Sequence, residues 1–226
     1  MKALIFDFDG LILDTEVPIY EAWKENYAAY EQELSLPVYC GCVGSDHGSF
    51  DPKSHLEELT GQEIDWERWD SIREERAMEL VSRLEPMPGV ERLLIEAEVA
   101  GVPCAVASSS PRSWVGPHLE RVGLTRFFRL TRCLDDVGAP KPAPDLFLSA
   151  AQGLAVRPGE ALVLEDSRNG LDAAIAAGIP CVSVPNAVTA SLDFSGAMRI
   201  LKDGLGDVSL ADLETWVSFH VAGETA

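Results

Sequence analysis

Six short apolar runs punctuate this chain, at residues 3–8, 103–107, 127–131, 161–164, 181–184 and 198–201. Between most of them lie stretches with helical periodicity, at residues 90–100, 113–122, 144–153 and 168–177. Strands separated by helices pair in parallel, because each crossover carries the chain back to the starting edge of the sheet. Apolar runs without polar alternation also mean a sheet buried on both faces. The pattern predicts an α/β fold with a Rossmann-like parallel-sheet core.

Between residues 16 and 84 the alternation lapses. The segments YEAWKENYAAYEQEL and DWERWDSIREERAMELVSRL are long, charged and helix-periodic, and no strand run of comparable strength separates them. An all-helical insertion after the first strand explains this, with PMPGV as the returning linker. The expected division is an α/β core of residues 1–15 and 85–226 and a small helical cap of residues 16–84.

Composition narrows the partners. The chain has 226 residues and a formal net charge of -19, with Lys and Arg outnumbered 18 to 37 by Asp and Glu. A nucleic-acid surface needs clustered cations, so that class is excluded. The same charge repels small anionic substrates, so a phosphate site here needs a local cation. No apolar stretch approaches the roughly 20 residues of a membrane span. A cytoplasmic protein, monomeric rather than oligomeric, is the expectation. Of five cysteines, only Cys40 and Cys42 are closely spaced, and no second pair completes a zinc site.

The polar residues that end the strands carry the chemistry. In an open parallel sheet, ligands bind beyond the carboxyl ends of the strands, where residues distant in sequence meet. The first run ends in Asp7-Phe8-Asp9-Gly10, the second in Ser108-Ser109-Ser110 and the fourth in Glu165-Asp166-Ser167, while Lys141 lies in the proline-rich GAPKPAPD after the third. Singly these are ordinary features: a turn, two helix starts and a surface lysine. Together they offer hard oxygen ligands for Mg²⁺ and a lysine and hydroxyls for phosphoryl oxygens.

In order and spacing, DFDGLILDT, ASSS, KPAPD and LEDSRNG resemble the four motifs of the haloacid dehalogenase superfamily. The branch resembled has a small helical cap after the first strand, as in β-phosphoglucomutase and related sugar-phosphate phosphatases. The resemblance implies Asp7 as nucleophile, forming an aspartyl-phosphate, and Asp9 as general acid and base. It implies Ser108, with Ser109 beside it, and Lys141 as phosphate holders, and Gly10 as the point where the backbone turns closely around the phosphate. The implied Mg²⁺ ligands are Asp7, the backbone carbonyl of Asp9, Asp166 and Glu165.

Two departures bear on the reaction. Mutases of this branch carry a His where this chain has Ile19, and a cap Arg in a loop that here reads GCVGSDHG, residues 41–48. Both departures favour net hydrolysis of a small phosphorylated metabolite, a sugar or polyol phosphate, over a phosphohexomutase. Asp46 and His47 in that loop, with Trp23 and Tyr27 on the first cap helix, are the candidates for substrate selection. A phosphoacceptor signalling module and a non-catalytic binding protein are the readings from another class; the intact motifs argue against the second. A signalling module would lack an insertion of this length and would use the acids of the first strand for metal alone.

Overall fold

The computed structural model describes residues 1–40 and 50–224, with side chains to His220. Strands β1 (Ala3–Phe6), β2 (Cys104–Ala107), β3 (Phe128–Arg132), β4 (Ala161–Glu165), β5 (Cys181–Ser183) and β6 (Arg199–Ile200) form one sheet. Its order is β3-β2-β1-β4-β5-β6, and all neighbours pair in parallel. Strand formation follows the apolar runs, with β1 shorter than the run suggests. It stops at Phe6, and the chain turns where the acids begin.

Successive residues of each central strand feed opposite faces of the sheet. Leu4, Phe6, Val106, Leu162 and Leu164 point into one apolar cluster, closed by α5 (Val90–Ala100), α6 (Arg112–Arg121) and α9 (Leu210–Glu224). Ala3, Ile5, Ala105, Ala107 and Val163 point into a second, closed by α7 (Asp145–Gly153) and α8 (Arg168–Ala177). Small residues on that second face let α7 and α8 approach the sheet closely.

After β1 the chain enters four helices, α1 (Glu16–Ala28), α2 (Leu36–Tyr39), α3 (Pro52–Thr60) and α4 (Trp66–Val81). They share an aromatic cluster of Tyr20, Trp23, Tyr27, Tyr39, Leu56 and Ile64, to which Val188 from the sheet side contributes. Two details differ from the sequence reading. The helix expected over residues 20–34 ends at Ala28, because Glu31 adopts a positive φ of 57° and turns the chain. Helix α3 was not anticipated; its start is Asp51, whose carboxylate accepts the Lys53 and Ser54 N–H groups, with Pro52 following. Along α4, Arg76 pairs with Glu79 at 2.6 Å near the surface, while Arg73 pairs with Asp70 at 3.0 Å and is largely covered. Among the described residues, no helix is long and apolar enough to cross a membrane.

Candidate active site

Register builds the site. Phe6 pairs with Val106 on one side and Leu164 on the other. The next residue of each strand therefore stands at the same level, so Asp7 lies between the end of β2 and Glu165 of β4. Its N–H donates to the Leu164 carbonyl at 3.0 Å, extending the ladder by one bond. The order 3-2-1-4-5-6 reverses direction between β1 and β4, which opens a crevice there.

Into that crevice project Asp7, Glu165, Asp166 and Lys141, each 8 % exposed or less. The Lys141 ammonium donates to Asp7 Oδ1, and to Glu165 Oε2 at 2.8 Å. Its stem passes over Phe147, with the nitrogen 4.7 Å from the ring centroid. Ser109 orients the loop that carries it, its hydroxyl accepting the Lys141 backbone N–H at 3.1 Å. Burial disfavours the ammonium, but Asp7 and Glu165 more than offset this, and its pKa is raised.

One lysine does not balance three buried carboxylates. Burial first, then the charge of Glu165, pushes Asp7 well above the usual carboxylate range, with Lys141 pulling the other way. Burial, Glu165, Asp7 and Glu16 do the same to Asp166. Ligand oxygens of Asp7, Glu165 and Asp166 lie within 4.8 Å of one another. An oxygen-only set with excess negative charge fits a hard divalent cation, which would restore the ionised forms.

Glycines make room for this cluster. Gly10 has φ 80°, and a Cβ there would fall 2.1 Å from Asp166 Oδ2. A Cβ on Gly170 would fall 1.9 Å from the Glu165 carboxyl carbon. For Gly10 the close approach is to Asp166 and Asn186. Glu165 is held on its other oxygen by Ser167, whose N–H and hydroxyl donate at 3.1 and 2.7 Å.

Asp9 stands apart from the buried cluster and accepts four hydrogen bonds. Oδ1 receives Thr15 Oγ1 at 2.9 Å and Trp114 Nε1 at 2.8 Å. Oδ2 receives Ser110 Oγ at 2.6 Å and Ser108 Oγ at 3.3 Å. Asp7, Asp9, Ser108, Ser109, Lys141, Glu165 and Asp166 line a single cavity of about 420 Å³, together with Glu16, Ile19 and Trp114. A larger cavity of about 780 Å³ lies behind Gly10, between Met87, Pro88 and Phe194; its lining is mostly apolar and includes none of the three clustered acids.

The remaining sequence candidates fall elsewhere. Trp23 is buried in the helical cluster, with the Arg73 guanidinium 4.2 Å from its ring centroid, and Tyr27 lies in the same cluster. Asp46 and His47 lie outside the described residues. Arg112, which follows the serine loop and was not among those candidates, turns to the loop after β3, its N–H donating to Asp135 at 2.7 Å and its guanidinium pairing with Asp136. His55 meets the Tyr27 hydroxyl at 2.9 Å.

Two residues escaped the sequence reading. Asn186, after β5, donates from one amide nitrogen to Asp166 Oδ2 at 2.7 Å and to the Gly10 carbonyl at 3.2 Å. Its signal was present, since it follows the carboxyl end of the fifth strand as the recognised residues follow theirs. Trp114 carried no signal, because an aromatic at helical spacing reads as core.

The haloacid dehalogenase-like hydrolase family matches residues 4–184, a span that begins in β1 and ends just past β5. The chain belongs to this family. Within it, the chain is 43 % identical to YhcW of Bacillus subtilis over 86 % of its own length and 88 % of that protein's. It is 32 % identical to the fructose-1-phosphate phosphatase YqaB of Escherichia coli, covering 80 % of this chain and 95 % of that one. Among solved structures, CbbY from Rhodobacter sphaeroides in complex with phosphate superposes with a TM-score of 0.67 at 27 % identity, over 95 % of this chain and 99 % of that one. Relatives named as phosphatases thus stand within this hydrolase family, and the present chain is a hydrolase of that kind. Membership sets aside the signalling-module reading.

Proposed function

We propose that the protein is a Mg²⁺-dependent phosphatase acting on a small sugar or polyol phosphate through a phospho-Asp7 intermediate, with residues 16–84 serving as its cap. The observation that carries this is the meeting, in one cavity, of the buried Asp7–Lys141–Glu165–Asp166 cluster with Asp9 and Ser108. Magnesium, when bound to Asp7, Asp166, Glu165 and the Asp9 carbonyl, supplies positive charge beside the nucleophile and the phosphoryl oxygens. Lys141 aims the Asp7 carboxylate and favours its ionised form, which the cation completes, and with Ser108 it binds phosphoryl oxygens. Asp9 protonates the leaving oxygen and then accepts a proton from the attacking water. A carboxylate nucleophile of this kind needs neutralised surroundings more than a nearby base, and a buried lysine answers that need.

The names of relatives support a sugar phosphate, since one is a fructose-1-phosphate phosphatase. Hydrolysis rather than phosphate relocation is supported by Ile19, which lines the cavity at the position where mutases of the branch carry a His.

The test is phosphate release from a panel of sugar and polyol phosphates, with Mg²⁺ and with a chelator, including β-glucose 1-phosphate assayed for glucose 6-phosphate. Metal-dependent release, abolished in Asp7→Asn by at least about a thousandfold, is the expected outcome. Near-normal release by Asp7→Asn would refute the phospho-enzyme route. Glucose 6-phosphate without free phosphate would mean a mutase.

A further inference from the structure

We infer that Trp114 is a positioning residue whose indole N–H holds Oδ1 of Asp9 and thereby assigns the acid proton to Oδ2, the oxygen beside Ser108. The inference rests on the phosphatase reading above and adds to it a residue on α6, within the sheet domain.

The argument begins with the four donors on Asp9. Three are hydroxyls, from Thr15, Ser108 and Ser110, and each can rotate its hydrogen away and accept instead. The fourth, Trp114 Nε1 at 2.8 Å, is a donor only. A proton on Oδ1, with Thr15 as its acceptor, would turn the oxygen on which the indole N–H depends into a poorly accepting acid hydroxyl. A proton on Oδ2 meets two serine hydroxyls that can turn to receive it. When Asp9 acts as an acid, its proton is therefore on Oδ2, next to the serine proposed to hold phosphate.

Trp114 is also firmly placed. Its ring meets His118 edge-on, with centroids 4.6 Å apart and an interplanar angle of 71°. His118 in turn stacks on Phe8 at 6.5 Å and 26°. Phe8 is the residue between Asp7 and Asp9. The indole that orients the Asp9 side chain is thus braced, through His118, against the backbone segment that carries both acids. This frame does not use the cap helices, so it keeps Asp9 oriented whatever covers the cavity.

The reaction shows what is at stake. In the first step an Asp7 oxygen bonds to phosphorus while the ester P–O bond breaks. The electron pair of that bond leaves with the alcohol oxygen, which takes the proton from Asp9 Oδ2. In the second step a water oxygen bonds to phosphorus, a proton returns from water to Asp9 Oδ2, and the pair of the Asp7–phosphorus bond returns to Asp7. Losing the Trp114 N–H frees the acid proton to sit on the oxygen turned away from the leaving group.

The distinguishing readout is leaving-group dependence. An alkoxide needs protonation as it departs, whereas p-nitrophenolate is stable as an anion. Trp114→Phe keeps the aromatic plate and removes the donor. Its kcat on the fastest sugar phosphate of the panel should fall about 10- to 100-fold with KM little changed, and its kcat on p-nitrophenyl phosphate should stay within about threefold of wild type. Thr15→Val removes the one hydroxyl able to receive a proton on Oδ1 and leaves the indole donor in place, so no selective loss on the sugar phosphate is expected. An equal effect of Trp114→Phe on both esters, no effect, or the same selective loss in Thr15→Val would overturn the role of Trp114. If wild-type protein with Mg²⁺ releases phosphate from neither ester, the phosphatase reading itself fails.

Discussion

Glu16, the first residue of α1, lines the cavity a few residues after Asp9, and its environment suits an uncharged side chain. Burial, then the charges of Asp9 and Asp14, push its carboxyl up from 4.5 to about 7. A carboxyl raised in this way has no effect on stability at low pH, where the folded and unfolded chains are both protonated. As pH climbs through the interval from the ordinary to the raised value, the unfolded chain ionises first and the folded state loses stability; above it the loss is complete. Metal-free Glu16→Gln should accordingly be more stable than wild type at pH 8, by roughly 1–2 kcal/mol once partial exposure of the group is allowed for, and equal to it at pH 4. Urea unfolding at the two pH values measures this, and an equal gain at both would exclude ionisation as the cause. The carboxylates at Asp7 and Asp166 are raised for the same basic reason, excess negative charge in a dry place, and there the cation is the remedy.

At the scale of elements, the turn from β4 into α8 shows how one residue serves fold and site together. Ser167 caps α8 by accepting the Gly170 N–H at 3.0 Å, and the same hydroxyl donates to Glu165. Gly170 sits where any side chain would collide with the Glu165 carboxylate. The helix start is therefore shaped around the acid that precedes it. Ser167→Ala should cost about 1 kcal/mol through the lost cap, lowering Tm by about 2–4 °C for a chain of this size, and should weaken Mg²⁺ binding about tenfold as Glu165 loses its support. Calorimetry of unfolding and of Mg²⁺ titration separates the two effects. A drop in Tm with unchanged Mg²⁺ affinity would confine Ser167 to a capping role.

For the whole molecule, charge dominates. A chain carrying -19, with three acids buried together in its candidate crevice, should gain stability from a divalent cation that enters there. At about 100 times its dissociation constant, Mg²⁺ should stabilise the protein by about 2.7 kcal/mol, raising Tm by roughly 5–10 °C, and Asp166→Asn should abolish most of that rise. Thermal melts with Mg²⁺ and with chelator check it; monovalent salt at matched ionic strength should not reproduce the effect. Much of this was legible in the chain itself. Apolar runs and helical periods determine an α/β sheet protein, because burial on two faces leaves no other arrangement for them, and four short motifs at strand ends determine the family. Position at strand ends pointed to Asp7, Glu165 and Asp166, since parallel register brings such residues to one level, whereas Lys141 reaches them from the loop beyond β3, held by Ser109. Tertiary structure decided the rest. Trp23, a candidate for substrate selection, went to the helical core, and Trp114, which reads as a core aromatic, went to the carboxylate of Asp9, because the direction of a side chain depends on how its helix is docked. Asn186 reached Asp166 across 20 residues of sequence, and Gly10 yielded space to an acid 156 residues away. Such contacts join sequence-distant segments through packing; a strand-end position such as that of Asn186 marks the neighbourhood, and only the tertiary structure supplies the partner.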